Sequence, residues 1–172
     1  MAYVRKMILC GLISSFASLP AFANDTDAMV SKSVTIDAPV KVVWEAIRTL
    51  RRNDPSHRKV LSSNTSDYVV EEKFDSIPVI GDAVCTYKEH ETPMQRLEYS
   101  MIKSDKLKAF EGEWDLSPTA DGKTVLKLSS RTDAGIKIPF ADKMTRCRTA
   151  KTIQHRLEEV REIASKTQVA MK

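Results

Sequence analysis

The side chains in this sequence that could do acid–base chemistry are a carboxylate and two phenols. In the stretch SDYVVEEKF, alternate residues share one face of a strand, so Glu72 lies on the same face as Val70 and Phe74. If that face is buried, Glu72 is a candidate general base, with Tyr87 or Tyr99 as a further acid or base. More often such a carboxylate lies near an open edge of the sheet and reaches solvent, and we expect that position for Glu72.

Other catalytic and metal-binding patterns are absent from the sequence. The three histidines, His57, His90 and His155, fall in a polar segment, in a charged strand and on the polar side of a helix. No His-x-x-x-His pair, paired-cysteine motif, glycine-rich phosphate loop or Gly-x-Ser-x-Gly motif occurs. We therefore predict neither a metal ion nor another cofactor, and we assign no residue a catalytic role.

The N-terminus has the three-part pattern of a secretory signal peptide. Arg5 and Lys6 precede the apolar run MILCGLISSFASLP, and the AFA that follows supplies the small-x-small cleavage pattern. This run is shorter than the roughly 20 apolar residues that a membrane-spanning helix needs. We expect cleavage after Ala23 and a periplasmic or secreted protein, with residues 1–23 as the signal peptide and residues 24–172 as one domain.

The mature chain is nearly neutral. Removal of 23 residues from 172 leaves 149, which suits a single domain with one core. The signal peptide contains two of the 27 basic residues and none of the 23 acidic ones, so the mature net charge is 25 minus 23, or +2. We therefore predict no nucleic-acid partner.

Two cysteines, Cys85 and Cys147, remain after cleavage in a compartment that permits disulfides. A disulfide between them would remove roughly 4 kcal/mol of unfolded-state entropy. Unpaired thiols that behave as small buried hydrophobes are the alternative, and the sequence leaves both outcomes open.

The elements that must position these side chains begin with a strand that turns abruptly into a helix. In VTIDAPVKVVWEAI, Val34 and Ile36 alternate with polar residues, and Pro39 favours the first turn of the following helix. The segment HRKVL is compatible with a short helical turn. Five strands with short connections then predict an antiparallel meander: SDYVVEEKF, AVCTYKEHE, QRLEYSMIK, LKAFEGEWDLS and KTVLKLSSRT.

The last element is a helix of about 25 residues that opens near Pro139. Its apolar stripe recurs at spacings of three and four and contains Phe140, Met144, Cys147, Ala150, Ile153, Leu157, Val160 and Ala164. An antiparallel sheet of about six strands that curls around this helix leaves a space between sheet and helix. The sequence therefore predicts an α+β fold with the helix across the concave face of the sheet.

The opening stretch, VTIDAPVKVVWEAI, resembles the start of the START-like helix-grip superfamily (SRPBCC), in particular its polyketide cyclase/dehydrase and lipid-transport branch. The segment LEYSMIKSDKLKAFEGEWDLSPTADGKTVLKL resembles the consecutive strands of that branch, and the closing helix agrees with it. The resemblance implies a hydrophobic cavity between sheet and helix that holds lipids, quinones, hormones or polyketides. It also implies that only a minority of members do chemistry.

Candidate ligand-binding residues follow from side-chain alternation on two strands and on the helix. The expected concave face contains Leu97, Tyr99, Met101, Phe110, Gly112 and Trp114, and the facing helix presents Met144 and Cys147. The alternative is an ordinary core under the helix, which is the default for an aromatic stripe and also the favoured interpretation of Met144 and Cys147. At Gly112 the missing side chain leaves room for a ligand or lets the helix approach closely.

A basic cluster follows the first helix and consists of Arg48, Arg51, Arg52, Arg58 and Lys59. It could bind an acidic head group or make a transient contact with an anionic membrane surface, or it could be a solvated helix end. No pattern in the sequence indicates an oligomeric state.

Three functions are compatible with these observations. The first is an exported protein that binds a small hydrophobic molecule without transforming it. The second is a cyclase- or dehydrase-like enzyme that uses a pocket glutamate or tyrosine. The third is a partner-binding module with a closed cavity, whose contact surface is the basic cluster or a sheet edge.

Overall fold

The computed structural model describes residues 29–77, 79–136 and 139–170. The predicted signal peptide and its cleavage site lie outside these residues. No helix in the described ranges combines the length and the apolar character that crossing a bilayer requires.

Seven antiparallel strands form one curved sheet, and two helices pack against it. The sheet order is β1-β7-β6-β5-β4-β3-β2. In chain order the elements are β1 (Val30–Ile36), α1 (Val40–Arg52), β2 (Arg58–Ser63), β3 (Asp67–Ile77), β4 (Gly81–Thr92), β5 (Arg96–Ser104), β6 (Ala109–Pro118), β7 (Thr124–Asp133) and α2 (Ala141–Ala170). The α+β helix-grip architecture predicted from the sequence is confirmed, with one strand more than expected.

The extra strand is β2, in the segment HRKVL, whose sequence is compatible with a short helical turn. That turn does not form, because β2 pairs with β3 in antiparallel register, with Arg58 opposite Glu72 and Val60 opposite Val70. As an edge strand β2 is almost entirely exposed, so its sequence does not show the alternation of buried and exposed residues that marks a strand.

The abrupt passage from β1 into α1 occurs at Pro39, as the sequence predicts. The Ala38 amide donates to the Ile36 carbonyl over 2.8 Å, and the Pro39 carbonyl accepts the Val42 amide over 2.9 Å. Pro39 stays extended at φ −62° and ψ 151°, so it ends the strand and caps the helix at once. The helix buries Val43, Trp44, Ala46 and Ile47.

Helix α2 covers only one half of the concave face. It packs against β1, β7 and α1. Its C-terminal half contributes Ile153, Leu157, Val160 and Ala164 to the main core, which α1 shares. The concave face of β3, β4 and β5 has no helix directly above it, and this asymmetry leaves room for a cavity beside α2.

Candidate functional site

The cavity beside α2 consists of two adjoining compartments that share part of their walls. The larger compartment has a volume of about 340 Å³ and opens between α2, the end of α1 and the start of β2. The smaller compartment has a volume of about 80 Å³ and lies between the N-terminal half of α2 and strands β3 and β7. Four side chains lie in the walls of both: Tyr99, Phe110, Thr152 and Arg156.

Buried ion pairs form one side of the larger compartment. Arg51 contacts Glu89 and Glu91, and Arg58 donates to the same Glu89 over 2.7 Å. These side chains are between 5% and 13% exposed, so their charges are neutralised by one another rather than by water. Burial alone would lower the pKa of Arg51, but Glu89 and Glu91 outweigh it and raise that pKa. Arg51 also lies over the Tyr68 ring, 5.5 Å from its centroid.

A second hydrogen-bonded group joins β3 to α2 across the cavity; Glu72 and Tyr87 are buried, and the Arg156 side chain is 37% exposed. Arg156 on α2 donates to Glu72 on β3 over 2.9 Å, and the Tyr87 hydroxyl donates to the other oxygen of Glu72. Burial and the adjacent Glu72 charge raise the pKa of Tyr87 well above that of an ordinary phenol. Glu72 thus accepts a hydrogen bond on each of its two oxygens, and one of the two donors carries a positive charge.

The expectation that Glu72 reaches solvent at an open sheet edge was wrong. Glu72 is 8% exposed and faces the cavity. The error followed from the missed strand: because β2 pairs with β3, the edge of the sheet lies one strand further out. The prediction that Glu72 shares a face with Val70 and Phe74 was correct, since Val70 is buried and Phe74 lines the smaller compartment.

Four aromatic rings form the floor that the two compartments share. Phe110 packs against Phe74 at a centroid distance of 4.9 Å, against Tyr99 at 4.9 Å and against Tyr87 at 5.3 Å. Tyr99 packs against the main core and also against a second core, which consists of Val70, Ala83, Cys85, Tyr87, Leu107 and Phe110. The aromatic floor therefore ties the two halves of the sheet together beneath the cavity.

Tyr99 lies flat across the sheet over Gly112, the residue directly opposite it on β6. A Cβ atom at Gly112 would overlap both the Tyr99 hydroxyl and the Ser129 carbonyl. The Tyr99 hydroxyl reaches Ser130, and burial raises the pKa of Tyr99 to about 12 although this hydrogen bond partly opposes the shift. The room left by Gly112 is thus occupied by Tyr99, not by a ligand or by the helix.

The predicted strand residues divide between cavity and core. Tyr99 and Phe110 line both compartments, and Trp114 lines the larger one. Leu97 is 1% exposed within the main core, and Met101 packs against the second core. Strand alternation therefore placed these side chains on the concave side but did not separate cavity wall from core.

Met144 and Cys147 line neither compartment, contrary to the expectation for α2. Met144 is 50% exposed and Cys147 is exposed. The buried face of the N-terminal half is Ala141, Thr145 and Thr149, which continues at four-residue spacing into Ile153 and Leu157. The apolar stripe predicted from the sequence is correct from Ile153 onward. Before Ile153 the helix residues that line the cavity are three threonines and Arg148.

Cys85 and Cys147 do not form a disulfide. Cys85 is buried, Cys147 is exposed, and both are free. Burial raises the pKa of Cys85 to about 12, with Glu72 as the next cause.

The predicted basic cluster is split by the fold. Arg51 and Arg58 point inward to their glutamates, Arg48 pairs with Glu45, and Arg52 donates to the Arg48 carbonyl. Sequence reasoning missed this inward pair, because a charged residue at a helix end usually faces solvent. Among the described residues no group of histidine, cysteine, aspartate or glutamate side chains could hold a metal ion.

The fold and the cavity together define a helix-grip protein. The chain belongs to the polyketide cyclase / dehydrase and lipid transport family, whose sequence profile matches residues 27–164. A comparison with curated protein sequences finds no match.

Solved structures with the same fold are distant in sequence. A protein of Thermus thermophilus is 14% identical with a TM-score of 0.65, and the match covers 81% of this chain and 98% of that one. The Zhui aromatase/cyclase from Streptomyces sp. R1128 is 20% identical with a TM-score of 0.61, covering 80% and 93%. A START superfamily protein from Mycobacterium smegmatis is 13% identical with a TM-score of 0.63, covering 81% and 99%. At these identities the likeness establishes the fold.

Proposed function

We propose that this protein is an exported binding protein that holds a small, largely apolar molecule between the sheet and α2. The observation that carries the proposal is the two-compartment cavity with its aromatic floor. The larger compartment, about 340 Å³, reaches the range of roughly 300–1,000 Å³ that small-molecule sites occupy. The lipid transport activity in the family's description supports a lipid-like ligand, and a quinone or a polyketide would suit the same walls.

The walls of the cavity suit binding more than turnover. The arginines of the larger compartment are occupied by glutamates, and Glu72 is occupied by Arg156 and Tyr87. A network of this kind fixes the shape of a site, because each buried charge has its partner before a ligand arrives. Shape complementarity to an apolar body, rather than a free reactive group, is then the main source of affinity.

Export is the second part of the proposal. It is supported by the signal-peptide pattern of residues 1–23, with its basic start, apolar run and small-residue cleavage site. A periplasmic or secreted carrier would shield an apolar molecule from water between membranes or outside the cell. The test is N-terminal sequencing of the protein recovered from cells, for which we expect Asn24 as the first residue.

Binding is tested by narrowing the cavity with a matched pair of variants. Thr152 lies in the walls of both compartments, whereas its neighbour Lys151 lines neither, and both are exposed. Titration calorimetry with decanol should show binding to the wild type and to Lys151→Phe, and at least about tenfold weaker binding to Thr152→Phe. Equal affinities in all three proteins would place the bound decanol outside the cavity and contradict the proposal.

A cyclase- or dehydrase-like enzyme is the second candidate, favoured by one observation. Glu72 and Tyr87 form a buried hydrogen-bonded pair in the wall of the larger compartment, and one solved structure of the same fold is that of an aromatase/cyclase. If the pair is catalytic, turnover of a synthetic polyketone should disappear in Glu72→Gln and Tyr87→Phe while circular dichroism shows a folded protein. Absence of turnover in the wild type, with retention of a bound molecule, would reject this candidate and leave the carrier.

A further inference from the structure

The smaller compartment differs from the larger one in the sign of its charge. Arg148 and Arg156 are the charged residues in its wall, and no described aspartate or glutamate joins them. The Arg156 charge is balanced by Glu72, which lies in the wall of the larger compartment. The local charge of the smaller compartment therefore comes from Arg148.

Arg148 itself has no partner within the part of the chain that the structure describes. It forms neither an ion pair nor a hydrogen bond there, in contrast to Arg51, Arg58 and Arg156. Its exposed side chain reaches the compartment at the side where α2 meets solvent. A guanidinium in this position has all its N–H donors available to an incoming group.

Hydroxyl groups line the same compartment as Arg148. Thr145, Thr149 and Thr152 lie within four residues of Arg148 and line the same compartment, and β7 adds Ser130 and Thr132 from the facing wall. Hydroxyls can donate to an oxyanion and also tolerate water, so the lining suits an oxygen-rich group. The volume of about 80 Å³ has room for a small group and not for a ring system.

We propose that the ligand is an anionic amphiphile whose carboxylate binds Arg148 in the smaller compartment. The proposal rests on the binding function argued above and names the chemical class of the molecule bound. The carboxylate pairs with the guanidinium beside Thr149 and Thr152. The apolar body passes Tyr99 and Phe110, the walls common to both compartments, and fills the larger one.

The experiment compares two probes that share a ten-carbon chain and differ in charge, decanoate and decanol. Their dissociation constants are measured near neutral pH by titration calorimetry for the wild type, Arg148→Met and Lys151→Met. Methionine keeps an unbranched apolar stem at position 148. Lys151→Met removes the same charge from the same helix at an exposed position outside the cavity wall.

We expect Arg148→Met to weaken decanoate binding about tenfold and to change decanol binding less than about twofold. Lys151→Met should change neither probe by more than about twofold. Added salt should weaken decanoate binding to the wild type and to Lys151→Met, which both keep Arg148, and should have little effect on decanoate binding to Arg148→Met. Decanoate binding that survives Arg148→Met, or that falls equally in Lys151→Met, would overturn the inference while decanol binding keeps the carrier function. A wild type that binds neither probe would overturn both.

Discussion

The two compartments of the cavity share a floor but use their arginines differently. In the larger one, Arg51 and Arg58 are buried and held by Glu89, with Glu91 as a second partner of Arg51. In the smaller one, Arg148 is exposed to the cavity mouth and has no partner among the described residues. Residues of one type thus have two roles within a single site, and burial with a matched charge is what distinguishes them.

The difference between paired and unpaired arginines indicates which side chains stabilise the fold around the site and which are available to a ligand. A buried ion pair costs free energy to desolvate, and it is retained where both partners are present and hydrogen-bonded. The matched arginines therefore hold α1, β2 and β4 in place around the larger compartment. An unmatched arginine at a cavity wall contributes little to folding and keeps its donors for another molecule.

The largest expected effect comes from removing the shared glutamate of the larger compartment. Glu89→Gln leaves Arg51 and Arg58 buried without their common carboxylate, so the free energy of unfolding should fall by about 3–5 kcal/mol. Arg148→Met, which breaks no ion pair among the described residues, should change it by less than about 0.5 kcal/mol. Urea denaturation measures both, and equal losses would remove the distinction between matched and unmatched arginines.

The next effect concerns the floor that both compartments share. Gly112→Ala places a methyl group against Tyr99 and the Ser129 carbonyl. We expect this substitution to lower the free energy of unfolding by about 2–3 kcal/mol. The comparison variant is Gly122→Ala, where no atom lies within 4 Å of the added Cβ and only the φ of +80° is unfavourable. Gly122→Ala should lower the free energy of unfolding by about 1 kcal/mol. A smaller loss for Gly112→Ala than for Gly122→Ala in urea denaturation would contradict the position of Tyr99.

The pH dependence of the free energy of unfolding tests whether Tyr99 is buried. Burial raises the pKa of Tyr99 to about 12, so the folded protein holds this phenolic proton more tightly than the unfolded chain, whose phenols titrate near about 10. The resulting stabilisation is complete below about pH 10 and is lost as the pH rises toward about 12. The urea midpoint should therefore fall steeply above about pH 10, and less steeply in Tyr99→Phe; an unchanged slope would show that Tyr99 is not buried.

The smallest effects are expected on the exposed side of α2. Met144→Ser and Cys147→Ser should each change the free energy of unfolding by less than about 0.5 kcal/mol and leave decanol binding unchanged. Ile153→Ala, further along the buried face of the same helix, should cost about 2–5 kcal/mol. In the native protein a thiol reagent should modify Cys147 rapidly and Cys85 slowly, and a reversed order would contradict the assigned helix face.

The sequence predicted the fold well wherever one face of an element is buried and the other is not. This holds for the transition at Pro39, for the five-strand meander and for α2 beyond Ile153. The prediction from sequence failed for β2, because an exposed edge strand has no hydrophobic alternation. That failure also misplaced Glu72, whose strand was taken as the edge.

The site was predicted less completely for a physical reason. Hydrophobic patterning identifies surfaces that avoid water, but a cavity wall that binds an oxygen-bearing group contains residues that patterning assigns to solvent. Thr149, Arg148 and Arg156 belong to this class. The signal that could have revealed them is the four-residue spacing of Thr145, Thr149 and Ile153, which keeps the threonines in line with the buried part of the helix.

Native mass spectrometry of the protein purified from the cells that make it, followed by solvent extraction, tests the central claim most directly. We predict a recurring small-molecule adduct of one stoichiometric mass, which the extract identifies as an apolar compound and which is lost from Thr152→Phe. A protein that is always empty and takes up no apolar compound afterwards would contradict the claim. Co-purification of a stoichiometric partner protein with that empty form would instead support a partner-binding module.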